Sequence, residues 1–315
     1  MSVMQDMGAR AMALGIPLSV QLDLTYRCNE RCIHCYLDHE DHGEMTTAEI
    51  LGLLDQLAAA GVFFLNVSGG EIFMRPDLFT IIEHARKLQF SVKLKTNGVM
   101  IREAKARRIA ALGVEAVQIS LYSHDAATHD EITKLRGSFK RTVEGARLLR
   151  DAGVKVIFAN VLMQQNADHY KQVQALAAEM GIRYEVDATI TPMMDGDRGI
   201  VALNMDGGRL AAIMHDTTLL GDQAERLLAA PRGPTPLDEA YKTLPCSAGH
   251  TACYVSPYGD VYPCVQFPYK VGSVREQRFI DIWRDSPQLN EVRAIRVSDL
   301  NGCSSQPASR YRTAA

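Results

Sequence analysis

Between Leu18 and residue 192 the chain repeats one unit, a short run rich in Val, Ile and Phe followed by a longer helix-like stretch. The candidate strands are Leu18–Leu24, Phe63–Val67, Val92–Lys95, Ala116–Leu121, Lys155–Leu162 and Tyr184–Ile190. Short apolar runs of this kind suit parallel strands buried on both faces. Helical segments separate them. One begins at Thr46, where Thr46-Thr47-Ala48-Glu49 fits a capping box, and stops before Gly61. Others run near Asp77–Gln89, Arg102–Leu112, Phe139–Ala152 and Asp168–Met180, and Gly113, Gly153 and Gly181 follow three of them as stops. Six such repeats predict a parallel sheet with right-handed crossovers. Six units are too few for an ordinary closed eight-unit barrel. The expected fold is therefore α/β, a partial (β/α)6 TIM-like barrel with a small C-terminal domain.

The remaining segments divide around that barrel. Residues 1–17 lead in, 18–192 form the barrel, and 193–245 read as a bridge punctuated by Pro231, Pro234, Pro236 and Pro245, with a helix near Arg209–Leu219. From 246 to 303 come strand and turn signals, such as Pro257-Tyr258-Gly259-Asp260, and a short helix around Arg278–Arg284; 304–315 is a polar tail. The formal net charge is −3, which gives no basic excess to hold a nucleic acid. No run of about 20 apolar residues is present to cross a membrane. The apolar stretch Ala11–Val20 carries a lone Arg10 before it and Pro17 within it, and makes a poor signal peptide. The expected location is cytoplasmic.

The seven cysteines are Cys28, Cys32, Cys35, Cys246, Cys253, Cys264 and Cys303, with none in the 210 residues between Cys35 and Cys246. An odd count without a secretion signal argues against a disulfide framework. Clustering at two ends predicts two metal sites. Cys28-Asn29-Glu30-Arg31-Cys32-Ile33-His34-Cys35 follows the first strand directly, at the end where parallel β/α folds place their active sites. Three thiolates on one loop can hold three irons of a [4Fe–4S] cube and leave the fourth open to a small molecule. Thiolates also suit zinc, but a structural zinc wants a fourth ligand. His34 is too close to Cys35 to share one ion without strain.

At this point the sequence resembles the radical S-adenosylmethionine (SAM) enzymes, whose signature is Cys-x3-Cys-x2-Cys. The resemblance continues along nearly the whole chain. Ser68-Gly69-Gly70-Glu71 follows the second strand like the family's Gly-Gly-Glu motif, which receives the methionine amino group. It implies that Gly69 and Gly70 let the backbone approach the ligand and that Glu71 accepts from the ammonium. Thr96-Asn97-Gly98 ends the third strand, and Ser120-Leu121-Tyr122 ends the fourth, where the family often reads Ser-x-Asp. Arg136-Gly137 resembles an element whose arginine binds the SAM carboxylate, a task suited to a guanidinium fork. His34 stands where the family usually has an aromatic near adenine; a ring that merely covers the cluster is the alternative, and Tyr36 is similar. The implied chemistry is one-electron cleavage of SAM to methionine and a 5′-deoxyadenosyl radical, which takes hydrogen from an unactivated C–H bond. An electron donor such as flavodoxin or ferredoxin is implied with it.

Cys246, Gly259 and Cys264 resemble the opening of SPASM and twitch extensions, and Gly272 with Ile282-Trp283 continues the likeness. Full SPASM domains hold two auxiliary clusters through a later run of cysteines. Here only Cys303 remains, with Gln306 where a partner would stand. The resemblance implies a single auxiliary [4Fe–4S] cluster on Cys246, Cys253, Cys264 and Cys303; zinc, or free thiols in a decayed domain, are the alternatives. Three functions are compatible with this reading. The first is maturation of a ribosomally made peptide by crosslinking, thioether formation, epimerisation or oxidation, with a separate peptide-recognition protein as a candidate partner. The second is a radical enzyme acting on a small molecule of tetrapyrrole or sugar type. The third is a non-catalytic iron–sulfur or zinc scaffold, which would have no need of Gly69-Gly70-Glu71. No residue is singled out as the catalytic acid, base or hydrogen donor, although Tyr184, Glu185 and Asp187 lie on the last barrel strand.

Overall fold

The structure, a computed structural model, describes residues 3–220, 244, 246–296 and 299. All six expected strands are present: β1 Ser19–Asp23, β2 Phe64–Ser68, β3 Ser91–Thr96, β4 Ala116–Ser120, β5 Val156–Val161 and β6 Arg183–Asp187. Each pairs in parallel with its sequence neighbour, for example Leu22 opposite Val67 and Val117 opposite Val156. The chain between them crosses over through helices α2 Thr47–Ala59, α3 Leu78–Lys87, α4 Glu103–Leu112, α5 Ala126–Thr133, α6 Ser138–Asp151 and α7 Tyr170–Glu179; α1 Val3–Leu14 precedes β1 and α8 Gly207–Met214 follows β6. The capping box at the start of α2 forms as read, with Thr46 Oγ1 accepting from Glu49 N and Glu49 accepting from Thr46 N. Such a cap contributes about 1 kcal/mol.

The strands differ from the expectation in one respect. They are not apolar on both faces. Val20 and Leu22, Leu65 and Val67, Val92 and Leu94, and Val117 and Ile119 all join the buried core, packed with helix residues such as Leu54, Ile82 and Ile109. The alternate positions, Gln21, Ser68, Lys95, Gln118, Ser120 and Asp187, line an inner cavity. Strand side chains alternate by two, so one face can seal the core while the other serves a polar lumen.

The C-terminal segment continues the same sheet. β7 Ala252–Val255 pairs in parallel with β1, Ser19 lying opposite Ala252 and Leu22 opposite Val255. β8 Asp260–Tyr262 and β9 Gly272–Ser273 add antiparallel strands, giving a nine-stranded order β6-β5-β4-β3-β2-β1-β7-β8-β9. The turn read at Pro257-Tyr258-Gly259-Asp260 connects β7 to β8, with Gly259 at φ 86. Helices α9 Phe279–Asp285 and α10 Pro287–Arg293 follow. Phe279 and Trp283 of α9 are buried in the main core, Phe279 N donates to Gln56 of α2 at 2.8 Å, and Trp283 Nε1 donates to the carbonyl of Gly15 at 2.6 Å. The region expected as a separate small domain is thus seated on the barrel. Cys303, Gln306, Pro231, Pro234, Pro236, Pro245 and the tail 304–315 lie outside the described residues. Among the described residues no helix is long and apolar enough to cross a membrane.

Candidate active site

The loop after β1 carries Cys28, Cys32 and Cys35, and all three line one cavity of about 290 Å3 at the C-terminal ends of the barrel strands. Its other walls come from loops at the ends of further strands and from the lumen. Ser68, Gly69 and Gly70 contribute from the β2 loop, Thr96 and Asn97 from the end of β3, and Ser120 and Tyr122 from the end of β4. Val265 and Gln266, directly after Cys264, reach the same cavity from the C-terminal segment.

The two glycines are required by packing between loops. Gly69 sits at φ 132, and a Cβ there would stand 2.3 Å from the Thr25 carbonyl oxygen; at Gly70 it would stand 2.4 Å from that of Arg27. Gly70 N donates to Thr25 O at 2.7 Å and Glu71 N to Arg27 O at 2.9 Å. Any side chain at either position would push the β2 loop off the cysteine loop.

Glu71 does not line the cavity. It is fully buried, and its carboxylate accepts from Phe73 N (3.0 Å), Thr96 Oγ1 (2.8 Å) and Asn97 N (2.9 Å). Burial pushes its pKa up, and these donors oppose that. The expected acceptor for an ammonium is therefore already spent on tying β3 to the β2 loop. Asn97, held by Glu71, donates through Nδ2 to Asn29 Oδ1 at 2.8 Å, inside the cysteine loop. Glu71 thus orders the cavity wall through Asn97.

Arg136 stands apart from the cavity. Its side chain is exposed and takes no part in the cavity wall. The Arg-Gly element instead builds the start of α6, where Asp130 accepts from the Gly137 N–H, from Ser138 Oγ at 2.9 Å and from Phe139 N at 2.9 Å. Ser120 does line the cavity. His34 lines it too, edge-on to Tyr122 with ring centroids 4.7 Å apart. Burial lowers its pKa to about 4, so the ring is neutral near pH 7, and its Nδ1 is buried without a partner. Tyr36 lines the cavity and turns its hydroxyl to Asp23 Oδ2, 3.4 Å away.

Asp23 was not anticipated as a site residue. It is fully buried at the end of β1 and accepts from Tyr254 Oη of β7 at 3.0 Å and from Gln21 Nε2 at 3.1 Å. Tyr254 has one proton and gives it to Asp23, so Tyr26, 2.7 Å away, donates to Tyr254. This network fastens the C-terminal segment to the cysteine loop. Lys95 in the lumen donates to Gln21 Oε1 at 2.9 Å, and Gln118 Nε2 to Glu185 at 3.2 Å. The signal for these residues was present, since β1, β3 and β4 each place polar residues at every second position. Of the three last-strand candidates, Asp187 lines the cavity, Glu185 meets Gln118, and Tyr184 packs against the core and accepts from Asn160 Nδ2 at 3.1 Å.

The donor set fits an iron–sulfur cube. Burial, the dominant cause, pushes the Cys28 thiol up to about 12 and Cys35 up to about 11, and raises Cys32 as well. Buried thiols become thiolates when a bound cation supplies the positive charge. Among the described residues no three His, Cys, Asp or Glu side chains gather closely enough for a single ion. Tetrahedral zinc would draw thiolate sulfurs to about 3.8 Å apart, whereas a cube carries them on separate irons. Buried Oε1 of Glu30 and Nδ1 of His34, both on this loop, lack partners.

The second set of cysteines divides. Cys264 is half-buried, with its thiol pushed up to about 11 by burial and further by the nearby Cys246, which is exposed. Cys253, expected as a fellow ligand, lies on β7 opposite Val20 and packs into the main core. Its electrostatic neighbour is Arg293, and neither Cys246 nor Cys264. Strand alternation explains this: Tyr254, the next residue, faces Asp23, so Cys253 faces the helices.

Comparison with known proteins places the chain in a family. The radical SAM superfamily profile matches residues 22–177, and the SPASM iron–sulfur cluster-binding domain matches 246–305. The chain is 30% identical over 302 residues to the mycofactocin maturase MftC of Mycobacterium tuberculosis, covering 89% of this chain and 73% of that protein. This chain belongs to the radical SAM superfamily. With its SPASM domain it carries the SAM-binding [4Fe–4S] cluster and auxiliary iron–sulfur ligation. It is also 28% identical to the AdoMet-dependent heme synthase of Methanosarcina barkeri, covering 88% of this chain and 85% of that one. Its fold matches Streptococcus suis SuiB, solved bound to S-adenosylmethionine (TM-score 0.74, 20% identity, 89% and 68% of the two chains) and bound to the precursor peptide SuiA (TM-score 0.73, 18% identity, 93% and 70%).

Proposed function

We propose that this radical SAM enzyme matures a ribosomally made peptide, holding its catalytic cluster on Cys28, Cys32 and Cys35. The observation that carries the reading is a single cavity walled by those cysteines, the Gly69-Gly70 loop and the lumen, with Gln266 of the SPASM region at its rim. The named relatives MftC and SuiB, one a maturase and the other solved with a precursor peptide, support the peptide as substrate class. With its cluster and SAM bound, the site supplies one-electron cleavage of SAM and hydrogen abstraction from substrate. The protein's own residues do the positioning. Gly69 and Gly70, which line the cavity, would offer the methionine end their backbone groups. Ser120 and Asn97 present polar groups beside it. His34 and Tyr122 form one wall and would limit water there once SAM is bound. Lys95, Gln21, Gln118 and Asp187 give the floor hydrogen-bonding capacity for a polar substrate segment.

For the auxiliary site, Cys246 and Cys264 together with Cys303 are the proposed ligands of one cluster, and Cys253 is left to the core. The test is anaerobic turnover of the reconstituted protein with candidate precursor peptides, reading peptide mass and 5′-deoxyadenosine together. A changed peptide mass, formed in step with 5′-deoxyadenosine, is expected. The similarity to a heme synthase favours a tetrapyrrole as the second reading. Turnover of a tetrapyrrole, with all peptides unchanged, would replace the first reading with that one.

A further inference from the structure

Arg136, displaced from its expected role, lies on a surface that the active-site reading leaves unused. The cysteine loop pairs with the end of α5, Arg31 N donating to Thr133 O and Ile33 N to Ile132 O, both at 3.0 Å. The chain then passes through Lys134, Arg136, Lys140 and Arg141 into the first turn of α6. Arg31, Lys134, Arg136 and Lys140 are exposed, and Arg141 is half-buried. Arg31 spends part of its guanidinium on the carbonyls of Cys28 (2.7 Å) and Glu30 (2.8 Å), and Arg141 on those of Gly137 (3.0 Å) and Arg136 (3.1 Å). Neutral acceptors leave both charges standing.

Several exposed arginines elsewhere are neutralised in pairs, such as Arg107 with Glu103, Arg147 with Glu144 and Arg278 with Asp281, while others, such as Arg102 and Arg284, stand singly. Among the described residues none of the five cations Arg31, Lys134, Arg136, Lys140 and Arg141 meets a carboxylate at ion-pair distance. The acids of the same stretch do not cancel them. Asp130, which caps α6, and exposed Glu131 keep their charges, Glu30 is buried, and two carboxylates stand against five cations. A chain of net charge −3 therefore concentrates positive charge on one face. That face backs the cluster loop, since Arg31 lies between Cys28 and Cys32 and the loop's Arg31 N and Ile33 N bond the end of α5.

We propose that this face, centred on Arg31, Lys134, Arg136 and Lys140, docks an acidic one-electron carrier protein of the flavodoxin or ferredoxin class. The inference rests on the assignment of Cys28, Cys32 and Cys35 to the catalytic cluster. Reduction moves one electron from carrier to oxidised cluster, with no bond made or broken. Electron transfer weakens steeply with distance, so the carrier must sit against the loop that holds the cluster. The cavity mouth has to stay free for SAM and substrate, and the α5–α6 face is the outer side of the same loop. A basic patch facing an acidic carrier speeds encounter and orients it.

The test follows reduction of the reconstituted cluster by fully reduced flavodoxin in stopped flow, with dithionite in parallel. The triple variant Lys134→Glu, Arg136→Glu, Lys140→Glu should be reduced by flavodoxin at least about tenfold more slowly at low salt, a gap that closes as salt rises. Its iron content and its reduction by dithionite should match the parent. Lys87→Glu, an exposed charge on α3, should change nothing. Should the reversal variant lose iron, the neutral Lys134→Gln, Arg136→Gln, Lys140→Gln variant decides, with a smaller loss of the same sign expected. Flavodoxin reduction at the parent rate in whichever variant keeps its iron would overturn the proposal, as would a parent rate indifferent to salt. A parent that takes up no iron at Cys28, Cys32 and Cys35 would instead refute the assignment beneath it.

Discussion

Around Cys28, Cys32 and Cys35 every neighbouring loop is tied down by buried hydrogen bonds, through Glu71, Asn97 and the carbonyls of Thr25 and Arg27. Around Cys246 and Cys264 the support is different. Cys246 is exposed, Cys264 is half-buried, and Ser247 O and Gly249 organise the adjoining chain through local turns. The first site is one continuous loop clamped from three sides. The proposed ligands of the second come from separated stretches of chain, and Cys253 packs into the core. A short spacing such as Cys-x3-Cys-x2-Cys holds its donors together whatever the rest of the chain does. A long spacing leaves their meeting to tertiary structure.

The largest expected effect tests this directly. Changing Cys28, Cys32 and Cys35 together to Ala should remove about four irons per chain and abolish 5′-deoxyadenosine formation. Changing Cys246 and Cys264 to Ala should remove the other iron complement and leave reductive SAM cleavage in place. Iron assay and chromatography of 5′-deoxyadenosine read both outcomes, and SAM cleavage surviving the first variant would sink the assignment.

The clamp on the first site is tested next. Glu71→Ala leaves Phe73 N, Thr96 Oγ1 and Asn97 N buried without their acceptor, each costing about 1–3 kcal/mol. A loss of at least about 3 kcal/mol in urea unfolding is expected, with weaker SAM binding as its consequence. If SAM affinity falls while stability is unchanged, Glu71 acts on the ligand directly and the positioning role is wrong.

Asp23 joins the two regions, and its effect should be about as large. Burial raises its pKa from 3.8 to about 6. Between about pH 4 and 6 the folded protein keeps a proton that the unfolded chain has released, so stability falls as pH rises through that window. Two units correspond to about 3 kcal/mol. Asp23→Asn removes the charge and keeps an acceptor for Tyr254, so the difference between parent and variant stability should grow across the same window and then level off. A difference that is flat with pH would show that Asp23 is charged at no cost.

The smallest effect separates the second set of cysteines. Cys253→Val keeps core volume and should cost less than about 1.5 kcal/mol, with iron content unchanged. Cys264→Val at the same chemical step should lower iron content. If Cys253→Val lowers it equally, Cys253 is a ligand after all.

Much of the barrel was legible in the chain because its evidence is local. Capping at Thr46, glycine stops and apolar runs each involve a few neighbouring residues, and all six barrel strands follow from them. Helix α5 was missed because its segment, Ala126–Thr133, is short and buries only His129, Ile132 and Thr133. Helix α10 was missed because Ser286 caps it directly after α9, leaving no loop to mark a boundary. Alternation within the strands was written in the sequence too, but the apolar residues between the polar ones drew the reading towards strands buried on both faces.

By itself the sequence determined the α/β repeat, the cysteine loop at the end of β1 and the order of the ligand-approaching loops, because each depends on residues close together in the chain. Only the tertiary structure decided that Glu71 faces Thr96 and Asn97, that Arg136 faces outward, that Cys253 faces the helices, and that β7 joins β1 across more than two hundred residues. Whether a side chain reaches a ligand or a neighbour depends on which face of its element the packed core has already claimed, and that choice is made between elements, not within them.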